Sequence, residues 1–354
     1  MKKALSVVLA LVVMASLAAG CGSSSTTASG GSAAASGSSS ASGGTVYTIR
    51  IGDTVQDDSI YATSFNDSFM KYVEEHGNGK IVVQRYGNSQ LGSDAQLTEA
   101  LQLNTIEMAM LPMSAFGNFS SDFMALDLPF LYDDAQTAYN ALGGEWGDYF
   151  DALMEKCQIK RLGWEENSFR NFSSNKAIHT VADMKGQKMR VMESTIYVET
   201  MKALGASPTP MAFSELYTAL QNGTVDGQDN GPILTYTAKL FEVQKYYTVS
   251  EYCYAASCVA ASLAWWNTLP ADVQEVLTGA AQAFQDAERQ AVQNSTEDYL
   301  SKLQDEGMEI IRLDAAAKQS FRDATTGVYD IMRSKLETPS LIDTALKVNE
   351  TYKK

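Results

Sequence analysis

Residues 47–113 decide the fold class, beginning with "YTIRIGDTV" (47–55) and continuing through "KIVVQRYG" (80–87) to "IEMAMLPM" (106–113). These three segments are short and apolar with polar or glycine boundaries, which is typical of strands. Between them lie "SIYATSFNDSFMKYVEEHGNG" (59–79) and "SDAQLTEALQLNTI" (93–106), whose apolar residues recur at helical spacing. The order strand–helix–strand–helix–strand predicts an α/β fold, with parallel strands in an open sheet and helices on its faces.

The later segments continue the mixed pattern. "IKRLGWEE" (159–166) is predicted to be a strand leading into "NSFRNFSSNKAI", and "VDGQDN" (225–230) is predicted to be a loop at a strand end. Ser93 or Asp94 should cap the second helix, and Ser214 the helix "FSELYTALQNG". A strand over 247–265 and a long amphipathic helix over 271–304 follow. We expect two α/β lobes with a cleft between them.

The amino terminus resembles a bacterial lipoprotein signal. Lys2 and Lys3 precede an apolar run that ends in "LAAGC", which is similar to the lipobox that is cut before a lipid-bearing cysteine, here Cys21. Residues 22–44 carry no charge and no large apolar side chain, so they are predicted to be a flexible tether. We therefore expect a signal peptide over 1–20 and an anchored tether over 21–45.

Charge and motif content exclude several functions. Without Lys2 and Lys3, 25 of the 27 basic residues remain against 42 acidic ones, which argues against nucleic-acid binding. The two histidines, His76 and His179, have no partner at catalytic or metal-binding spacing. Glu165 and Glu166 are interpreted as a solvated or capping pair, so no catalytic group, metal or cofactor is predicted.

The remaining cysteines, Cys157, Cys253 and Cys258, are odd in number. The last two lie too far apart along one strand to form a disulfide, so three small buried residues are expected.

Polar residues at strand ends indicate a binding site, because ligands of open α/β sheets bind beyond the carboxyl ends of strands. Arg170 and Arg190 follow or lie in strands, Asn230 ends "VDGQDN", and Phe213 begins a helix. Two guanidinium groups with an amide and an aromatic ring suit a small organic acid, because arginine binds a carboxylate through two parallel hydrogen bonds.

Three segments carry a family resemblance, namely "RNFSSNKAIHTVADMKGQKMRVMES", "KALGASPTPMAFSELYTALQNGTVDGQDN" and "EVQKYYTVSE". They resemble the solute-binding proteins of tripartite ATP-independent periplasmic (TRAP) transporters, the DctP-like family. The resemblance implies a two-lobe periplasmic-binding-protein fold (type II-like) with a long helix spanning both lobes. It implies lobe I over 46–167 and 256–295, and lobe II over 168–255 and 296–354. The solute is captured without chemistry and passed to a TRAP permease.

The resemblance also implies the site. The arginine matching Arg190 clamps the solute carboxylate, Arg170 adds a contact, and Asn230 and Phe213 line the pocket. Trp164 and Met113 are assigned to the same site. Glu193 stands where the family often has asparagine, and a carboxylate there disfavours a second negative group on the solute. This favours a sugar acid, such as a uronate, over a dicarboxylate or a keto acid.

Two functions from other classes remain as alternatives: a secreted α/β enzyme acting on sugars, and a ligand sensor for a membrane receptor. The favoured interpretation is a monomeric, extracytoplasmic binding protein, held by its lipid at the outer face of the cell membrane or in a periplasm.

Overall fold

The computed structural model describes residues 45–353, in which nine strands form one mixed sheet. The strands are Tyr47–Gly52 (β1), Ile81–Tyr86 (β2), Met108–Pro112 (β3), Ile159–Ser174 (β4), Lys188–Val191 (β5), Ser207–Pro210 (β6), Gly227–Asn230 (β7), Tyr246–Ser262 (β8) and Glu309–Arg312 (β9). The predicted lipid site at Cys21, the signal peptide and most of the tether lie outside the described residues.

The sheet has the order β2-β1-β3-β8-β4-β7-β5-β6, with β9 paired to β8. Strand β1 pairs in parallel with β2 and β3, as predicted, and β5 pairs in parallel with β6 and β7. The long strands β4 and β8 are antiparallel to each other, and β8 is antiparallel to β3. The sheet is therefore mixed, because these two strands run against the parallel groups that they connect.

Strands β4 and β8 join the two groups of strands. The second half of β8 pairs with β3, and its first half pairs with β9. The β4–β8 register breaks between Glu166 and Phe169, where Ser168 has a φ of 55°. Such breaks bend a strand and increase its local twist. Only two strands thus carry the sheet from one group to the other, as the predicted two-lobe arrangement requires.

The α-helices are Ile60–Ser64 (α1), Lys71–His76 (α2), Asp94–Gln102 (α3), Ala135–Leu142 (α4), Glu145–Lys156 (α5), Thr195–Ala203 (α6), Phe213–Gln221 (α7), Pro232–Thr237 (α8), Leu263–Trp266 (α9), Ala271–Asp305 (α10), Ala315–Arg333 (α11), Leu341–Ala345 (α12) and Val348–Tyr352 (α13). A π-helical segment, Phe65–Met70, joins α1 to α2 without a break. Within residues 45–353, none of the helices combines the length and the apolar character that a membrane span requires.

Helix α10 is 35 residues long and packs against both groups of strands. Its first half shares a core with Ile49 and Ile51 of β1, and its second half packs on Leu234 and Tyr247. A Cβ atom at Gly163 would lie 3.0 Å from the carbonyl oxygen of Ala281, so glycine lets β4 approach the helix closely. The prediction of a long helix that spans both lobes is confirmed.

Several local predictions were wrong. Residues 227–230 form strand β7 rather than a loop, because they fill the space between β4 and β5. Strand β4 continues to Ser174, since β8 offers it a partner along its whole length. Strand β8 ends at Ser262, where a short helix begins, and α7 is capped at Ala212 rather than Ser214. Ser93 caps α3 as expected.

The cysteine prediction is confirmed in part. Cys157, Cys253 and Cys258 are free among the described residues, and only Cys157 is partly exposed.

Glu288 on α10 is fully buried, with one carboxyl oxygen accepting from the Glu166 amide at 3.1 Å and the other without a partner in the described chain. Burial, with Glu165 and Glu166 nearby, raises the pKa of Glu288 well above its usual value. When folding raises the pKa of a carboxyl group, the contribution of that group to the free energy of unfolding is fully present at pH values below its unfolded pKa. That stability is lost as the pH rises from the unfolded pKa through the folded one.

We predict that Glu288→Gln melts higher than the parent protein at pH 8, by a few degrees, and that this difference shrinks towards pH 5. The amide keeps an acceptor for Glu166 and removes the buried charge. Thermal unfolding across this pH range measures the effect, with the exposed Glu275→Gln on the same helix as control. A difference that is independent of pH would contradict it.

Candidate functional site

A cavity opens where the two groups of strands meet, with an empty volume of about 580 Å³ that is partly open to solvent. Its walls come from the ends of β1, β3, β5 and β7, from the middle of β4 and β8 and from helices α1, α3, α7 and α8. The cavity therefore lies between the strand groups, where the sequence places the cleft.

Four of the predicted site residues line this cavity: Arg170, Arg190, Phe213 and Asn230. Glu193 is exposed and lines a second, adjoining cavity, which it shares with Arg190 and Phe213. The remaining two predicted residues line neither cavity. Trp164 packs its ring under Arg161, with 4.4 Å between the guanidinium carbon and the ring centroid, and Met113 lies in the hydrophobic core.

Arg190 is a buried cation without an acidic partner. It is 2% exposed, and no carboxylate within residues 45–353 forms an ion pair with it. Its Nε and Nη2 atoms donate to the carbonyl oxygen of Met211 at 3.1 and 2.8 Å. Burial lowers the pKa of Arg190 to about 10, so its positive charge is held at a cost. The guanidinium is thus fixed in orientation at the cavity wall, and no carboxylate within residues 45–353 is paired with it.

Arg170 is equally buried, but its charge is neutralised within the protein. Its Nε lies 2.8 Å from Oδ2 of Asp229, which also accepts from the hydroxyl of Tyr252. Burial on its own would lower the pKa of Arg170, but Asp229 raises it well above the usual value. The Nη1 atom lies 3.3 Å from the sulfur of Met192 at the cavity wall. Arg170 therefore forms a structural ion pair with Asp229, and the Nη1 edge of its guanidinium lies at the cavity wall.

Asn230 and Phe213 complete this end of the site. The Asn230 side chain donates to Gln228 at 2.5 Å, and its backbone carbonyl accepts from Tyr247 at 3.0 Å. The ring of Phe213 lies 5.9 Å from the guanidinium carbon of Arg190, within cation–π range. Both residues are thus held in place by contacts within the protein.

Four carboxyl side chains also line the cavity: Asp53, Asp94, Glu165 and Glu166. Asp53 is neutralised by Arg85, whose Nε lies 2.7 Å from its Oδ2. Asp94 accepts from the hydroxyl of Thr54 at 3.1 Å, and Glu166 accepts from the hydroxyl of Tyr139. Glu165 makes no hydrogen bond or ion pair with a side chain that the structure describes. Three of the four acids therefore have no basic partner in an ion pair.

Burial is the main cause of the unusual acidity of these groups. It raises the pKa of Asp94 to about 6 and the pKa values of Glu165 and Glu166 to about 8. The nearby negative charge of Asp53 raises the pKa of Glu165 further, and Arg85 opposes this. At neutral pH the acidic wall is thus partly protonated, so its groups can donate as well as accept hydrogen bonds.

Comparison with known proteins identifies the family. The model of the bacterial extracellular solute-binding proteins of family 7 (DctP) matches residues 51–335. The chain belongs to this family.

Related family members bind acids of different kinds. The C4-dicarboxylate-binding periplasmic protein DctP of Rhodobacter capsulatus is 34% identical over 270 residues, which cover 76% of this chain and 81% of that one. The crystal structure of a sugar acid binding protein of Advenella mimigardefordensis, in complex with galactonate, has a TM-score of 0.82 and 30% identity, covering 86% and 99% of the two chains. A TRAP periplasmic solute-binding protein of Haemophilus influenzae with bound L-gulonate has a TM-score of 0.81 and 30% identity, with the same coverage.

Membership confirms the two-lobe periplasmic-binding fold and the predicted DctP-like type. Family 7 proteins capture solutes outside the cytoplasm and do not transform them, so the protein is not an enzyme. Among residues 45–353, no group of three or more histidine, cysteine, aspartate or glutamate side chains is arranged so that it could hold a metal ion.

The sequence missed the acidic wall of the site. Glu165 and Glu166 were interpreted as a solvated or capping pair, which is wrong, because both are under 10% exposed. Asp94 was considered only as a helix cap, yet its side chain faces the cavity at the start of α3. In the sequence, each of these acidic residues stands next to a predicted strand end or helix start. Without the fold, nothing distinguished these acids from the many on the surface.

Removing the charge partner of Arg170 should lower the stability of the protein, whereas removing Arg190 itself should not. We predict that Asp229→Asn lowers the free energy of unfolding by about 3–5 kcal/mol, because it leaves Arg170 buried and unpaired. That corresponds to roughly 10 °C in melting temperature. Arg190→Met should leave the melting temperature of the unliganded protein unchanged or raise it, since no carboxylate loses a partner. Thermal unfolding measures both variants, and a larger loss for Arg190→Met would contradict these assignments.

Proposed function

We propose that this protein captures a small organic acid with one carboxylate, most favourably a sugar acid, and delivers it to a TRAP-type membrane permease. The observation that carries the proposal is Arg190, a buried guanidinium without a counter-charge in the described chain at the wall of the cleft cavity. A carboxylate that enters the cavity gains a charge-assisted hydrogen bond and relieves the uncompensated charge. The family relatives supply the transport context.

The rest of the cavity supports a single carboxylate on the solute. Arg170 is already paired with Asp229, so it offers hydrogen bonds but little net charge. Asp94, Glu165 and Glu166 form the acidic remainder of the wall. A second solute carboxylate near these groups would meet negative charge, or would require protons to be held there. Hydroxyl groups carry no such penalty, which favours a hydroxylated monoacid over a dicarboxylate.

Glu193 contributes less to this preference than the sequence suggested. It is exposed and lies in the adjoining cavity, so its charge is screened by solvent. The preference for a sugar acid therefore rests on Asp94, Glu165 and Glu166, which line the main cavity. Trp164 and Met113 are not part of the proposed binding surface, because neither lines either cavity.

The anchoring and the capture motion belong to the same proposal. Lobe I would comprise 46–167 with 256–295, and lobe II 168–255 with 296–354, closing about the register break in β4. Cys21 would carry a lipid that holds a monomeric protein at the outer face of the membrane. A Cys21→Ser variant should move from the membrane fraction to the soluble one, and retention in the membrane fraction would exclude this anchor.

We predict that Arg190→Ala weakens binding of the cognate acid at least 100-fold, because the solute carboxylate loses its only free charged partner. Arg190→Lys should also bind poorly, since lysine lacks the planar fork. Isothermal titration with a panel of sugar acids, keto acids and dicarboxylates measures both. Arg312→Ala removes an exposed arginine, and it serves as the control. Near-parent affinity in a folded Arg190→Ala protein would reject the proposed function.

A further inference from the structure

One side of the cavity carries polar atoms that no described residue satisfies. Glu165 is 7% exposed, and its carboxyl group makes neither a hydrogen bond nor an ion pair within residues 45–353. Tyr61 and Ser257 line the same cavity and have buried hydroxyl groups; the Ser257 hydroxyl has no partner there, and the Tyr61 hydroxyl has only the Ser168 side chain beside it. Buried polar groups are nearly always hydrogen-bonded, so a set of unpaired ones calls for a partner from outside the chain.

The sheet places two of these groups side by side. Glu165 of β4 is the register partner of Ser257 of β8, in an antiparallel pair. Side chains that are directly opposite on neighbouring antiparallel strands project from the same face, with about 5 Å between their Cβ atoms. Glu165 and Ser257 therefore face the cavity together from the rigid strands that join the two groups. Tyr61 reaches the same cavity from helix α1.

Glu165, Ser257 and Tyr61 line the main cavity but not the adjoining one, whereas Arg190 lines both. The charges that chiefly act on Arg190 are those of Asp229, Arg170, Asp94 and Glu193. Those that act on Glu165 are Asp53 and Arg85 instead. A solute held at Arg190 by its carboxylate would thus meet Glu165 with another part of its structure.

We propose that Glu165, Ser257 and Tyr61 form a hydroxyl-recognition subsite, with Glu165 selecting solutes that carry several hydroxyl groups beyond their carboxylate. This inference rests on the proposed function, because it takes Arg190 as the carboxylate site. A carboxyl group can bind two neighbouring hydroxyl groups through its two oxygens, and the serine and tyrosine hydroxyls can accept or donate beside it. The ligand class is a polyhydroxy monocarboxylate.

The same residue would exclude dicarboxylates as the pH rises. Burial raises the pKa of Glu165 to about 8, so a second solute carboxylate is tolerated only while Glu165 holds a proton. The affinity for a dicarboxylate should therefore fall as the pH rises through about 8. The affinity for a polyhydroxy monoacid should depend less on pH, because a hydroxyl group hydrogen-bonds to either form of the carboxyl group.

The test compares four proteins by isothermal titration: the parent, Glu165→Gln, Ser257→Ala and the control Glu288→Gln. The control removes a buried charge from the same acidic region, on a residue that is not part of the cavity wall. The probes are three C6 sugar acids, namely galactonate, gulonate and galacturonate, and the dicarboxylate succinate, each at pH 6 and pH 9.

For the parent we expect at least one sugar acid to bind more tightly than succinate. In Glu165→Gln we expect the sugar acid to bind at least tenfold more weakly at pH 9, since charge-assisted hydrogen bonds to an ionised carboxylate are replaced by weaker ones to an amide. The affinity for succinate should rise in that variant and lose its pH dependence. Ser257→Ala should weaken only the sugar acid, and Glu288→Gln should resemble the parent.

The outcomes separate this inference from the function on which it rests. If the parent binds acids but prefers succinate, or if Glu165→Gln leaves the ratio of sugar acid to succinate unchanged, the hydroxyl subsite is rejected and the carboxylate site at Arg190 stands. If none of these acids or the wider acid panel binds the parent, the proposed function itself fails.

Discussion

A positive charge that the fold buries without a counter-charge governs this site. Arg190 lies on a short parallel strand and is held by the carbonyl of Met211, which accepts two of its hydrogen bonds. The carbonyl fixes the orientation of the guanidinium but leaves its charge uncompensated. A charge held in this way costs folding free energy, and that cost is recovered when an anion binds. The strands, the register break and the long helix place this cation at the opening between two groups of strands.

The neighbouring arginine illustrates the alternative arrangement. Arg170 lies on β4, and the chain supplies Asp229 from β7 to neutralise it. Two arginines in one cavity thus differ in their surroundings: Arg170 is paired with Asp229, whereas Arg190 has no paired carboxylate in the described chain and is the one that we propose binds the solute. The global acidity of the chain does not conflict with this, because charges on the outer surface are screened within about 10 Å by salt.

Features that depend on neighbouring residues in the sequence could be predicted, whereas features that depend on contacts between distant segments could not. The strand–helix order of residues 47–113 and the long helix were predicted from local periodicity, because the period of apolar residues reflects which face is buried. Arg190, Arg170, Asn230 and Phe213 were predicted as site residues, since strand ends and arginine chemistry are visible in the sequence.

The strand Gly227–Asn230 was missed, because its polar residues form a strand only between two others. Glu165, Asp94 and Tyr61 were missed as cavity residues, since only the folded chain shows which acids and hydroxyls line the cavity. Glu193, by contrast, drew attention through its position after Arg190, yet it faces the adjoining cavity.

The most direct test of the central claim compares a sugar acid that binds with its neutral amide, for example galactonate with galactonamide, by isothermal titration. The two compounds share their hydroxyl groups and differ only in the charge at the carboxylate. If Arg190 needs a counter-charge, the acid binds at least 100-fold more tightly than the amide, and the Arg190→Ala protein no longer distinguishes them. Equal affinity of the parent protein for acid and amide would contradict the account.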